Sequence, residues 1–148
     1  YYITKEQVER VKKMDRWVVY TPSYALNDDL LFKFSPHDKE GSLREKEIIC
    51  GCLSEAIAGG LKFGIGTDGL HGGLAREAQY IAQLGASNRN VLAGVTTQAA
   101  KLCGVDQITG AVKEGLDADL VIVDGNPLED IKALSRVEHV IQGGNVIR

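Results

Sequence analysis

Two side chains that could carry out chemistry lie three residues apart in one glycine-rich segment, residues 61–73, LKFGIGTDGLHGG. They are Asp68 and His71. The segment opens with Leu61 and Phe63 in an alternating pattern, which predicts a strand with one buried face. Enzymes of the α/β class place their chemistry at the carboxyl ends of such strands. Asp68 is therefore a candidate metal ligand or general base, but an aspartate in a glycine-rich turn is equally a turn former or a helix cap.

The remaining potential ligands carry weaker signals. His71 either faces the same strand end or points into solvent from its loop. His37 follows a proline in an irregular segment and receives no role, and His139 alternates within a predicted strand. Cys50 and Cys52 are two apart in a predicted helix and point in different directions. Since no His-x-His, His-Glu-x-x-His or Cys-x-x-Cys spacing occurs, this chain alone does not supply the three or four ligands of a zinc site.

A nucleotide-binding interpretation of the same segment is rejected. Residues 64–69 match the GxGxxG spacing that follows a strand in dinucleotide-binding proteins. A pyrophosphate, however, needs uncharged backbone N–H groups at a helix N-terminus, and Asp68 would place a like charge among them. The acidic residue expected about 20 positions further on is also missing, because Asn88 lies there in a helical pattern.

Composition excludes several classes of partner. The 148 residues carry a net charge of −3, from 17 basic and 20 acidic side chains, without a basic run. We therefore expect no nucleic-acid binding and no membrane association. Three cysteines do not make a disulfide framework, and their apolar helical surroundings predict buried thiols in a reducing compartment, the cytoplasm.

Capping signals and apolar periodicity define the first elements. Thr4-x-x-Gln7 predicts a helix start, and Trp17–Tyr20 (WVVY) is typical of a strand buried in a parallel sheet. Residues 23–41 are irregular and predict a long loop. Ser42-x-x-Glu45 predicts the start of a second long helix, which ends at Gly59-Gly60 directly before the strand of residues 61–67.

Three helices and then a group of short strands are predicted beyond the glycine-rich segment. The helices cover about 74–84, 89–93 with Asn88 as its cap, and a stretch after Thr96 or Thr97 that ends at Gly104. The strands cover 110–112, 119–124, 137–142 and 145–147, the last two joined by a Gly-Gly hairpin turn. The chain is thus predicted as a parallel α/β part followed by a small antiparallel module.

Only two strands of the parallel type are predicted, at 17–20 and 61–67. Two strands do not make a covered parallel sheet, and a complete (β/α)₈ barrel needs about 250 residues. We therefore expect this chain to pair with another or to be part of a larger barrel.

Three motifs resemble the C-terminal part of metal-dependent amidohydrolases, in the imidazolonepropionase-like and prolidase-like branch. They are GIGTDG at 64–69, TTQAAKLCGV at 96–105 and GAVKEGLDADLVIVDGNPLEDI at 110–131. The hairpin at 137–148 and WVVYTPSY at 17–24 are also similar to that family. The resemblance covers nearly the whole chain and is strongest from about residue 60 onward.

The resemblance implies an α/β fold. Residues 1–104 would be the last strands and helices of a (β/α)₈ TIM barrel, and residues 105–148 would be strands of a small β-sandwich. The histidine and lysine ligands of the family's other strands have no counterparts here, so this chain would be a C-terminal fragment.

The resemblance also implies a function and a site. Asp68 matches the family's aspartate at the end of the eighth strand, which ligates metal and takes a proton from the attacking water. His71 matches a substrate-binding position, although Leu70 replaces the family's proline. The expected activity is hydrolysis of C–N bonds with one or two zinc or other divalent ions, on a small amide, cyclic amide or dipeptide. We expect the fragment to be inactive alone and to form a homo-oligomer or pair with the N-terminal part.

A second interpretation belongs to a different class. The chain would be a non-catalytic structural or interaction module, stabilised by oligomerisation, in which Asp68 merely shapes a turn. Metal content of the purified chain distinguishes the two.

Overall fold

A computed structural model describes residues 2–30, 39–69 and 71–148 of the chain. Part of the predicted loop at 23–41 lies outside these residues, and so do His37 and Leu70. The elements within them are, in chain order, α1 (Lys5–Lys13), β1 (Trp17–Tyr20), α2 (Ser23–Leu26), α3 (Lys39–Ala58), β2 (Lys62–Ile65), α4 (Leu74–Gln83), α5 (Asn88–Gly94), α6 (Thr97–Cys103), β3 (Leu120–Val123), a 3₁₀ helix (Ile131–Ser135), β4 (Val137–Gln142) and β5 (Asn145–Val146).

One of the two predicted capping boxes is confirmed. The Thr4 hydroxyl accepts from the Gln7 amide at 3.2 Å, and the Gln7 side chain accepts from the Thr4 amide at 2.8 Å. The second is wrong, because α3 already begins at Lys39 and Ser42 lies inside it with its side chain buried. A capping side chain acts only on the free N–H groups of a helix's first turn. The predicted loop at 23–41 is likewise interrupted by α2.

The two predicted parallel strands pair directly with each other. Val18 lies opposite Phe63 and Tyr20 opposite Ile65 in parallel register. The ladder continues past the strand ends, since the Gly66 amide donates to the Tyr20 carbonyl at 3.0 Å. The carboxyl ends of both strands therefore meet at one edge, directly before the segment that holds Asp68.

The hydrophobic core lies between this strand pair and the helices. Phe63 is buried, its ring centroid is 5.4 Å from that of Tyr20, and its ring edge approaches Gly94 of α5. Ile81 of α4 and Val91 of α5 are fully buried in this core. The contacts of Phe63 with Tyr20 and Gly94 fix β2, and hence the segment that follows it, against α5.

Two glycines inside helices test this packing with the same substitution. A Cβ added at Gly94 would lie 2.8 Å from Phe63 Cε2, whereas a Cβ at Gly51 of α3 meets nothing within 4 Å. We expect Gly94→Ala to lower the free energy of unfolding by about 1–3 kcal/mol because it overpacks the core. Gly51→Ala is expected to raise it by roughly 0.5–1 kcal/mol, since alanine favours the helix. Urea unfolding of both variants measures these changes. If both substitutions shifted the free energy of unfolding in the same direction, the packing of Phe63 against Gly94 would be contradicted.

The small module is a three-stranded antiparallel sheet in the order β3-β4-β5. The predicted hairpin is confirmed, with Gly143 and Gly144 at positive φ between β4 and β5. The predicted strand at 110–112 is wrong. Gly110 has a φ of 95°, which belongs to a turn, and Val112 is 89% exposed without a strand partner.

Side-chain hydrogen bonds tie this module to the helices. Asn88 was predicted to cap α5, but Ser87 is the cap, and the Asn88 amide instead donates to the carbonyls of Leu128 and Glu129 at 3.1 and 3.2 Å. The Gln79 amide donates to the Ser135 hydroxyl at 2.9 Å. The N-cap of α6 is Thr96, which is one of the two predicted positions. Its side chain makes no capping hydrogen bond.

The cysteines are free thiols, but they are not all buried as predicted. Cys50 and Cys52 are half-buried and Cys103 is exposed. Their helices pack only one face against the core, so a helical position alone does not bury a side chain. Within the same described ranges, no helix has both the length and the apolar character needed to cross a bilayer.

Candidate active site

Asp68 lies three residues after β2, at the carboxyl end of the parallel pair. Its backbone adopts the left-handed conformation with a φ of 46°, which aspartate tolerates better than most residues. It does not cap the next helix, because the N-cap of α4 is Gly73 without a side-chain bond. Among the described residues, the Asp68 carboxylate accepts no hydrogen bond and forms no ion pair, and the residue is exposed.

A backbone contact fixes Asp68 from the neighbouring strand. The Tyr24 hydroxyl donates to the Asp68 carbonyl oxygen at 3.1 Å. Tyr24 belongs to α2, which begins three residues after β1 ends. The segments after the two parallel strands are therefore joined at the edge where Asp68 lies.

A buried carboxyl group lies next to this contact. Glu77 of α4 is fully buried, and its Oε2 accepts from the Ser23 amide at 3.0 Å, while Oε1 has no partner among the described residues. Burial raises the pKa of Glu77, and the hydrogen bonds from Ser23 act in the opposite direction.

Glu77 is not among the site residues predicted from the sequence. A signal was present, because Glu77 falls within a helical row formed by Leu74, Ala78 and Ile81, where an apolar side chain is expected. An acidic residue in such a row indicates a buried polar group with a specific partner.

Tyr20 carries a second buried polar group at the end of β1. Its hydroxyl has no partner among the residues that the structure describes, and burial raises the pKa of Tyr20 to about 12. The phenol is therefore held neutral inside the core.

Replacing Tyr20 with Phe is expected to raise the free energy of unfolding by about 1 kcal/mol, because it removes an unsatisfied buried hydroxyl. The two proteins should also differ in alkali. The unfolded wild type loses the phenolic proton near its ordinary pKa of 10.0, while the folded state keeps it up to about 12. Wild-type stability should therefore fall across this interval by more than that of Tyr20→Phe. Urea unfolding, followed by the fluorescence of the single tryptophan, Trp17, measures the free energy of unfolding of both proteins at each pH. An equal fall in the two proteins between about pH 10 and 12 would contradict the burial of Tyr20.

His71 is exposed at the rim of an open cavity whose lining also includes Gly69, the residue after Asp68. The His71 amide donates to the Gly69 carbonyl at 3.0 Å. Together with Gly73, His71 borders this cavity of about 970 Å³ between the N-terminus of α4 and the 3₁₀ helix, where Arg76 and Arg136 also lie. No described contact joins the His71 ring to the Asp68 carboxylate.

The described part of the chain does not hold a complete metal site. No group of three or more His, Cys, Asp or Glu side chains in it is arranged to bind an ion. Asp68 is a carboxylate of the right chemistry for a divalent cation, but it is a single donor. The donor set fits only if further ligands come from outside these residues.

The chain belongs to the amidohydrolase family, whose model matches residues 51–147. The ochratoxinase of Aspergillus niger is 34% identical to it over 99 residues, which are 63% of this chain and 21% of that protein. The chain thus spans about a fifth of the length of the curated relatives that it matches.

Solved structures extend the likeness to the whole chain. A crystal structure of a Xaa-Pro dipeptidase with bound methionine has 26% identity and a TM-score of 0.80, over 99% of this chain and 38% of that one. The crystal structure of Aspergillus niger ochratoxinase has 26% identity and a TM-score of 0.77, over 99% and 35%. The predicted α/β class and the predicted amidohydrolase resemblance, with prolidase-like relatives, are confirmed.

Proposed function

We propose that this chain is the C-terminal part of a metal-dependent hydrolase of C–N bonds, in which Asp68 is both a metal ligand and the proton acceptor. The observation that carries the proposal is the exposed Asp68 carboxylate at the carboxyl end of a parallel strand pair, without a hydrogen bond among the described residues. Membership of the amidohydrolase family supports it, since that family generally uses divalent metals.

The proposed chemistry needs a base beside an activated water. A bound divalent ion lowers the pKa of water and polarises the scissile carbonyl. Asp68 takes the proton from the attacking water and passes it to the leaving nitrogen. Its position next to a packed strand, with its carbonyl held by Tyr24, limits the directions in which the carboxylate points.

We propose a small-molecule substrate with an amide, cyclic amide or dipeptide bond, and that His71 contacts it. This rests on the similarity to a Xaa-Pro dipeptidase and to ochratoxinase. It also rests on the exposure of His71 beside an open cavity. Incubating the full-length protein with a panel of dipeptides and N-acyl amino acids, and detecting products by mass spectrometry, tests the reaction class. Cleavage of C–O esters alone would contradict it.

We further propose that residues 1–104 are the last part of a TIM barrel and residues 105–148 are strands of a sandwich completed elsewhere. The exposed apolar side chains of the β3–β5 sheet support this, because Val121 and Val146 face solvent here. An incomplete sheet with apolar faces needs another layer to cover it.

The isolated chain is expected to self-associate and to be inactive. Val19 of β1 is 51% exposed in a sheet of only two described strands, and open strand edges pair readily. Light scattering should give a mass above the 16.0 kDa of one chain. Val19→Lys should lower that mass, whereas Val112→Lys, in an exposed loop, should not. A monomer that binds zinc stoichiometrically would contradict this expectation.

A further inference from the structure

The buried carboxyl group of Glu77 takes no part in the chemistry proposed for Asp68. It is fully buried in α4, and its described hydrogen-bond donor is the backbone amide of Ser23, 54 positions earlier in the chain. A buried carboxyl group costs folding free energy unless it is hydrogen-bonded, and half of this one is without a partner among the described residues. A purely apolar side chain would fill the same row of α4 at lower cost.

The Ser23 amide is where Glu77 acts on the candidate site. Ser23 is the first residue of α2 and is itself buried. The next residue, Tyr24, donates its hydroxyl to the Asp68 carbonyl at 3.1 Å. Two hydrogen bonds, the Ser23–Tyr24 peptide unit and the Tyr24 side chain thus join Glu77 to Asp68.

Asp68 needs such a restraint. Its φ of 46° places it in the left-handed region, which L-residues other than glycine adopt at a cost in free energy. Glycines at 66 and 69 flank it closely and permit other backbone paths. A strained residue in a glycine-rich segment keeps one conformation only when its surroundings hold it.

We propose that Glu77 is a positioning residue for Asp68: it anchors the Ser23 amide, and thereby directs the Tyr24 hydroxyl onto the Asp68 carbonyl. Glu77, Ser23 and Tyr24 thus form a hydrogen-bonded relay to Asp68. The inference rests on the proposed function, because it gives the relay the task of presenting the Asp68 carboxylate to metal and water.

A mutant cycle in the full-length enzyme tests the relay. Glu77→Met keeps the side-chain volume but removes the acceptor, and Tyr24→Phe removes only the hydroxyl. Each should lower kcat by about 10-fold with KM changed less than about twofold, as is usual for groups that orient a metal ligand. The double variant should be no slower than the slower single variant, because both act through one path. Glu77→Gln, which keeps an acceptor oxygen, should restore most of kcat.

Matched controls and a second readout separate positioning from general stability. Tyr80→Phe, on the same helix as Glu77, and Glu55→Gln, exposed on α3, should leave kcat unchanged. Zinc affinity of the metal-free protein, measured with a competing chelator, should fall by about 10-fold in Glu77→Met and Tyr24→Phe but not in the controls. If Glu77→Met does not fold, Glu77→Asp, which withdraws the carboxylate by one methylene, takes its place in the cycle.

Two results would overturn the inference. One is a lowered melting temperature with unchanged kcat and zinc affinity, which would make Glu77 a structural residue only. The other is a double variant whose loss of kcat equals the two single losses combined. That would mean that Glu77 and Tyr24 act on Asp68 through separate paths. Asp68→Asn distinguishes these from failure of the proposed function: if Asp68→Asn keeps full turnover, the function itself is wrong. If it is inactive while Glu77→Met and Tyr24→Phe are normal, only the relay is wrong.

Discussion

Replacing Asp68 with Asn in the full-length enzyme should lower kcat/KM by about 10²–10⁴-fold, the usual contribution of a positioned general base. Asparagine has the same shape and also tolerates a positive φ, so the backbone at 46° is retained. The amide cannot accept the proton from water at neutral pH and binds a divalent ion less strongly than a carboxylate. Steady-state kinetics and metal content of the two proteins measure both effects.

Asp15 provides the matched control for this substitution. It is the other non-glycine residue at positive φ among the described residues, with a φ of 53°, and its carboxylate forms a surface ion pair with Lys62. Asp15→Asn therefore makes the same chemical change in the same backbone conformation, away from the proposed base. It should keep wild-type turnover. Equal losses in the two variants would point to backbone strain rather than catalysis and would contradict the role of Asp68.

Replacing Phe63 with Ala should destabilise the chain by about 3–5 kcal/mol, the range for removing a buried aromatic side chain. Phe63 is 5% exposed, and its ring contacts that of Tyr20 and lies against Gly94. Its removal opens a cavity between β1, β2 and α5, which are the elements that orient the segment containing Asp68.

Urea unfolding followed by Trp17 fluorescence measures this loss, because Trp17 lies on β1 opposite Lys62. Val112→Ala is the control, since Val112 is 89% exposed and its truncation should change stability by less than about 0.5 kcal/mol. A loss below about 1 kcal/mol for Phe63→Ala would mean that the ring is not packed as described.

Features with a local cause were predictable from the sequence. An unbroken apolar run identified β1 and alternation identified β2, although Val19 is exposed and β1 is not buried on both faces as expected. The Gly143-Gly144 turn identified the hairpin of β4 and β5. In each case, the residues that define the element lie within a few positions of each other, so the chain's local pattern and its tertiary packing agree.

Features with a distant cause were missed. The start of α3 lies three residues before the capping signal at Ser42, which is buried inside the helix and so does not mark its start. Glu77 depends on the Ser23 amide, 54 positions away, and no spacing rule connects the two. The role of Asp68 was predictable only as a candidate, since its other proposed ligands lie outside the described residues.

The most direct test of the account is chelation of the full-length protein during hydrolysis of an amide or dipeptide substrate. Removing the divalent ion should abolish cleavage of the C–N bond, and adding zinc or another divalent ion should restore it in the wild type but not in Asp68→Asn. Cleavage that continues unchanged after the metal has been removed, or full restoration of Asp68→Asn by metal, would contradict it.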